Sequence, residues 1–347
     1  LSGQGEAGAA TVHRVLLRAS RRLGRILPAL IAGLTLLGWT AACGADIGKA
    51  NFQRTTVPAQ PGSGGQGEVP TGAITDPAVA AAALREVDPC PLLAKDSLAE
   101  LGTVGEPRPE GFDQCGTEVT DPGGKTIKLS LRLGDSVISV DQASGNVGGL
   151  ALIERKQDTE GCFVTALTSR KPNLGIQVQV SYGGGDPCRP GHVVLQKVVK
   201  KLHEQPAMLP LAPGSLVSVD PCTVIDDAVL TEVLGTGADK SVTNLHTCSW
   251  SGRGPSLQLY LRQGYLPSAD AGTTPVDLGG GVSGFQVVRA KDTAMCTIIW
   301  GHRPTSDRQG EVVSLGYTNY RGDAARDDAC GKTMKLARNV VGKLPKP

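Results

Sequence analysis

The chain has five histidines, and two of them, His246 and His302, lie close in sequence to tryptophans, in Cys248-Ser249-Trp250 and at Trp300. Histidine and tryptophan together can line a ligand site, one supplying a polar contact and the other a flat apolar wall. If the strands around Cys248 and Cys296 are neighbours, Trp250, Trp300, His246 and His302 form one ligand face. The competing reading is a tryptophan packed on a disulfide, with surface histidine beside it. Other chemistry is sparse. No HExxH, GxSxG or P-loop pattern occurs. The runs Gly183–Gly185 and Gly279–Gly281 lack the Lys-Ser/Thr and helix of a phosphate cradle, so they read as turns. Asp226-Asp227 falls in the first turn of an expected helix, where the macrodipole favours acids without catalysis. The expected list of catalytic residues, metal ligands and cofactors is therefore none.

The nine cysteines are more informative. Asp88-Pro89-Cys90 returns as Asp220-Pro221-Cys222, and Cys115, Cys162 and Cys188 return as Cys248, Cys296 and Cys330. Leu129-Ser-Leu-Arg132 matches Leu259-Tyr-Leu-Arg262, and the stretch from Arg155 to Thr159 matches that from Arg289 to Thr293. Such self-similarity marks a repeated unit. Two tandem homologous domains are expected, residues 76–206 and 207–347. Four cysteines in each leave three pairings per copy, of which Cys90–Cys115, Cys162–Cys188, Cys222–Cys248 and Cys296–Cys330 are favoured. Zinc is the weaker reading, because no CxxC spacing is present.

The elements that carry these cysteines are legible. Asp-Pro-Cys starts a helix, with Asp as cap and Pro in the first turn; the helices run from Cys90 to Gly102 and from Cys222 to Gly235. Alternation of Ile127, Leu129, Leu131 and Leu133 with Lys128, Ser130 and Arg132 marks a half-buried strand, and further strands surround Cys162 and Cys296. A last helix closes each copy, with Val194, Val198 and Leu202 on one face in the first and Leu336, Val340 and Leu344 in the second. The expected class is α+β: in each domain an antiparallel sheet with flanking helices and two disulfides.

The N-terminus reads as an address. Five arginines between Arg14 and Arg25 precede an apolar run, Ile26 to Trp39, then small residues and Cys43. That is the order of a signal peptide, residues 1–42. The run is shorter than the ~20 residues of a spanning helix. The small residues before Cys43 resemble a bacterial lipobox, in which this cysteine is acylated; ordinary signal peptidase could also cut here. Removal of residues 1–42 takes away five arginines and Glu6, turning the net charge from +2 to −2. A balanced chain of this kind lacks the basic face of a nucleic-acid binder. Residues 43–75, rich in Pro, Gly and Ser, read as a flexible tether with a reach of roughly 30 Å.

Asp-Pro-Cys followed by an aliphatic pair (Leu92-Leu93, Val224-Ile225), a short helix ending in Leu-Gly, and then Cys-Ser-Trp (Cys248–Trp250) resembles the actinobacterial secreted and lipoprotein family called domain of unknown function 3558. The first copy departs from it, with Gly116-Thr117 after Cys115. The resemblance implies an envelope lipoprotein of a high-GC Gram-positive bacterium, and no reaction. The function expected is a non-catalytic binding or protein-interaction module, extracytoplasmic and held to the outer face of the membrane by lipid on Cys43, with release by secretion as the alternative. Its partners are the membrane and an envelope ligand or protein, not nucleic acid. A cell-wall hydrolase and a purely structural surface protein are the alternative functions.

Overall fold

The computed structural model describes residues 67–270, 272–288, 294–321 and 326–347, all within the compact unit Thr56–Pro347. The signal peptide, Cys43, most of the tether and the stretch 289–293 lie outside the described residues.

The first half opens with α1 (Ala81–Glu86) and α2 (Lys95–Leu98). Its strands are β1 (Thr103–Val104), β2 (Arg108–Pro109), β3 (Gln114–Thr120), β4 (Thr126–Ser136), β5 (Ala143–Val147), β6 (Leu150–Lys156), β7 (Gly161–Arg170) and β8 (Asn173–Tyr182), and α3 (Cys188–Leu202) closes it. The second half has α4 (Asp227–Leu234), then β9 (Asp239–Asn244), β10 (Thr247–Ser251), β11 (Pro255–Tyr265), β12 (Thr273–Gly279), β13 (Val282–Val288), β14 (Ala294–Pro304) and β15 (Gln309–Asn319), and ends with α5 (Ala329–Val341). The sheets are antiparallel and run in the same order. One is β1-β3-β4-β8-β7-β6-β5, with β2 also on β3; the other, from the opposite edge, is β9-β10-β11-β15-β14-β13-β12. Each is a hairpin joined to a four-strand meander, covered on one face by its last helix. The class is α+β with two sheet domains.

Alternation explains the layers. Ile127, Leu129, Leu131 and Leu133 of β4 are buried in the first core, which they share with Val194, Val198 and Leu202 of α3; the helix lies on the neighbouring strands β7 and β8, and α1 packs on β4. Each fully buried side chain of this size stabilises by about 1.5–3 kcal/mol. Leu336 and Val340 of α5 cover the second sheet in the same way. Disulfides fasten each helix to its sheet: Cys162 of β7 to Cys188, the first residue of α3, and Cys296 of β14 to Cys330 in α5. Cys90–Cys115 and Cys222–Cys248 hold the opening segments to β3 and β10. Four disulfides fit an oxidising, extracytoplasmic compartment. No described helix is long and apolar enough to cross a membrane.

Three expectations change. The helix expected from Cys90 to Gly102 is broken: Pro91–Leu93 is a 3-10 turn, Ala94 is extended, and only α2 is α-helical. Its counterpart is a 3-10 turn at Pro221–Thr223 followed by α4. The aspartates do cap, Asp88 Oδ1 accepting from the Cys90 N–H at 3.0 Å and Asp220 Oδ1 from Cys222 at 2.9 Å. Second, the match of Leu129–Arg132 with Leu259–Arg262 is two residues out of register. Cys115 lies opposite Leu131, whereas Cys248 lies opposite Leu259. The second hairpin is shorter, and a two-residue slip preserves the alternation, so the sequence pattern cannot expose it. Third, the end of the expected tether is held. Arg170 donates to the carbonyls of Pro70 and Gly72, Asn146 donates to that of Glu68, and Ile74 packs on the first core.

The two domains interlock. Phe112, just before β3, is buried in the core of the second domain, its ring centroid 4.9 Å from that of His246. Leu245, just before β10, is buried in the core of the first. Each precedes its β-strand cysteine, Cys115 or Cys248, by three positions, so topologically equivalent residues are exchanged. Gly134 makes room: its φ is +71°, and a Cβ there would come within 2.3 Å of Leu245. Arg85 Nε donates to the Leu245 carbonyl at 3.1 Å, and Val87 pairs with Met208.

Candidate functional site

The four residues expected to form a ligand face do not form one. β10 and β14 are separated by β11 and β15. Trp250 and Trp300 are 2% and 1% exposed and fill the second core. Both point to the helix side, because alternation places them there with Cys248 and Cys296. His246 is buried, and its Nε2–H donates to the Val217 carbonyl at 2.9 Å while Nδ1 faces Asp113 Oδ2 at 3.6 Å. His302 donates through Nε2–H to the Gly214 carbonyl at 2.9 Å. Both histidines therefore fasten the connecting segment between the domains. Glu311 of β15 holds the same segment, accepting from Ser215 Oγ at 2.8 Å, from the Leu216 N–H at 2.6 Å and from Arg303 at 2.6 Å.

The open site is on the other domain. Two clefts lie on the face of the first sheet away from α3, walled by residues 105–110 and 136–139. The wider, about 510 Å³, is lined by Arg108, Glu110, Gln114, Ser130, Arg132 and Gln179, among others. The second, about 290 Å³, is lined by Arg132, Asp135, Ile138, Arg155, Phe163 and Gln177, among others. Arg132 lines both, and together they make the candidate site, a grooved surface over β3, β4, β8 and β7. These volumes suit small-ligand sites.

Register builds the floor. One row across the sheet runs Gln114–Arg132–Gln177–Thr165 and the next Gly116–Ser130–Gln179–Phe163. Residues in such rows share a face because side chains alternate along each strand. Gln114 Nε2 donates to Glu110 and to Ser130 Oγ, the latter at 3.1 Å. A Cβ at Gly116 would come within 2.6 Å of Glu110 Oε1, so the glycine lets that carboxylate lie against the sheet. Arg132 sits 3.6 Å from Asp135, and its Nε is buried with no hydrogen-bond partner among the described residues. Burial pushes the Asp135 carboxyl up, against the pull of Arg132, and nearby Asp113 adds to the rise. At the other end the Arg155 guanidinium lies 5.1 Å from the Phe163 ring centroid, and Ile138 on the rim is 85% exposed.

The second sheet does not repeat this chemistry. The residues in the places of Arg132, Ser130, Gln177, Gln179 and Phe163 are Tyr260, Gln258, Ser314, Gly316 and Thr297. Sequence reasoning saw Lys128, Ser130 and Arg132 as the wet side of a strand; without strand order it could not bring them together with Gln177 or Phe163.

A second titratable cluster has a structural role. Asp327 Oδ2 accepts from Tyr317 Oη at 2.7 Å and Asn319 Nδ2 at 2.6 Å, and Oδ1 from Lys332 Nζ at 2.6 Å. Burial pushes the Asp327 carboxyl up, but these hydrogen bonds outweigh it and hold it below the usual range. Tyr317 is fully buried, so the cluster anchors the approach to α5 rather than meeting a substrate. Asp226, one of the adjacent acids of the sequence, accepts from Asn339 and Lys343 of the closing segment, which depress its pKa. Among the described residues no group of three or more His, Cys, Asp or Glu is placed to hold a metal ion.

No curated protein matches the chain. Among solved structures, the crystal structure of DynU16, from the dynemicin biosynthetic locus, is 12% identical; the match covers 79% of this chain and 93% of that one at a TM-score of 0.17. The first domain, with its groove, lies ahead of the segment that a family model matches. That segment, residues 203–343, takes in nearly all of the second domain and is similar to the family described as protein of unknown function, DUF3558.

Proposed function

We propose that this chain is an exported envelope protein, acylated on Cys43 and held outside the membrane, that works as a non-catalytic binding module whose ligand sits in the groove of the first domain. The groove is the observation that carries the reading. It is open, and its polar groups stand on paired strands between walls formed by residues 105–110 and 136–139. The disulfides support an extracytoplasmic location. The second domain serves as scaffold: its tryptophans and histidines hold its core and the inter-domain connection.

The test is native mass spectrometry of the protein purified in mild detergent from its own membrane. The expected mass carries acyl chains on Cys43, lies eight hydrogens below the fully reduced value, and includes a bound molecule that Arg132→Ala releases. An unacylated mass would overturn the anchor. Protein without any bound molecule in both the parent and the variant would overturn the binding role.

A further inference from the structure

We infer that one end of the first domain rests on the lipid surface, with Ile138 as its apolar foot; this rests on the acyl anchor proposed above and adds a contact face to it. The argument begins with where the chain enters the fold. Asn146 donates to the Glu68 carbonyl, and Arg170 donates to the carbonyls of Pro70 and Gly72. Asn146 lies near the end of β5 and Arg170 ends β7, so the entering chain is fastened to one end of the first sheet. Val137 lies at the same end, its N–H donating at 3.0 Å to the carbonyl of Asn173, the first residue of β8. Cys43 stands 24 residues before Gly67, a span of at most about 85 Å when fully extended and of roughly 30 Å for a chain of this composition. Of the two ends of this sheet, lipid on that cysteine therefore holds this one nearer the membrane.

The chemistry of this end is apolar. Ile138 is 85% exposed, more than any other large hydrophobic side chain described. The loop that carries it is fixed. Val137 packs over Gly175, where a Cβ would come within 2.9 Å of Val137 Cγ2, and the Gln142 N–H donates to the Ser139 carbonyl at 3.0 Å. A side chain held clear of the protein on a fixed loop leaves little ordering to be done when it enters lipid. Lys171 and Pro172 stand exposed in the turn between β7 and β8 beside it. The charged groups of these segments balance, Arg170 and Lys171 against Glu68 and Asp141, so nothing here selects anionic lipid. One isoleucine binds a membrane weakly by itself. The anchor offsets this, because a tethered domain meets the surface at an effective concentration on the order of a millimolar. Ile138 also lines the narrower cleft, so the contact sets that cleft beside the lipid headgroups.

The experiment attaches the acylated chain to phosphatidylcholine vesicles whose lipids carry bromine on the upper acyl chain, a short-range quencher of tryptophan. The acylated chain begins at Cys43, so Trp250 and Trp300 are its own tryptophans; both are buried and give a common background. Lys171→Trp puts a probe at the proposed contact. Tyr320→Trp puts one on the second domain, at a side chain 68% exposed just past the end of β15. An apolar foot enters the outer ~5–10 Å of the lipid layer, so quenching at Lys171→Trp is expected to exceed that at Tyr320→Trp by about threefold. Adding Ile138→Asp to the Lys171→Trp chain should abolish the difference, and about 1 M salt should leave it unchanged. Each replaced side chain is exposed, so the fold is kept. Equal quenching at the two probes, quenching that survives Ile138→Asp, or a difference lost in salt overturns the inference. Flotation with the vesicles reads the anchor separately. A chain that floats without quenching at Lys171→Trp overturns the contact and leaves the anchor standing; a chain that does not float overturns both.

Discussion

Phe112 belongs to the first domain by chain position and to the second by packing, and this makes the interlock measurable. It is 3% exposed among side chains of the second core. Truncating a buried phenylalanine to alanine costs about 3–5 kcal/mol, from lost burial plus the cavity left behind. The chain has three tryptophans, Trp39, Trp250 and Trp300, and the last two lie in the second domain. In a Trp39→Phe background, tryptophan fluorescence therefore reports that domain alone. With an m-value of about 3 kcal/mol/M in urea, Phe112→Ala should lower the fluorescence midpoint by about 1–1.7 M. Far-UV circular dichroism reports both domains and should move with it if they unfold as one cooperative unit. A fluorescence midpoint unchanged within the usual extrapolation error of about 10–15% would refute the reasoning, since the second core would then be complete without the ring.

Further outcomes follow from the same contacts. Glu311→Gln leaves Arg303 without its anion and weakens the grip on the connecting segment; a loss of about 2–3 kcal/mol is expected in chemical denaturation, below the full cost of a broken buried pair because Arg303 retains some exposure to water. Replacing both Cys296 and Cys330 by alanine opens a loop of 34 residues, for a loss of about 3–4 kcal/mol on the chain-entropy account; unchanged calorimetric stability would contradict it. His203 is raised above its ordinary pKa by the Val199 carbonyl first and then by the Asp76 carboxylate. Its contribution to stability is fully present below the unfolded value of about 6.5 and is lost as pH rises through the folded value. An NMR titration should place its midpoint above that of the denatured chain, and Asp76→Asn should lower it; an unmoved midpoint would show that the carboxylate plays no part.

Much of the architecture is written in the sequence, because its signals are local. The β4 alternation, the apolar faces of α3 and α5, and the Asp-Pro-Cys caps each need only a few consecutive residues. The four-cysteine repeat limited the pairings to three per half, and the structure has the sequential set. What sequence reasoning missed depends on strand order. Trp250 and Trp300 drew attention as rare aromatics, yet the period of two puts them on the buried side, on strands that do not touch. The groove is built from four strands whose adjacency includes the crossover pairing of β4 with β8, which no local pattern encodes. The interlock was equally hidden, since Phe112 and Leu245 look like ordinary residues at a strand entrance.

The exchange of Phe112 and Leu245 has a consequence for symmetry. A knob and a hole at equivalent positions make a self-complementary surface, the geometry of an isologous dimer. Were the halves separate chains, any change in one sheet would appear in both, and a groove on one would be duplicated on its mate. Joining them through the segment held by His246, His302 and Glu311 fixes a one-to-one stoichiometry at any concentration. It also frees each half to differ, so that one can keep a plain outer face while the other carries charge. Excision of the matched segment 203–343 would discard that arrangement: Phe112 would be missing from its slot, and Leu245 would meet water.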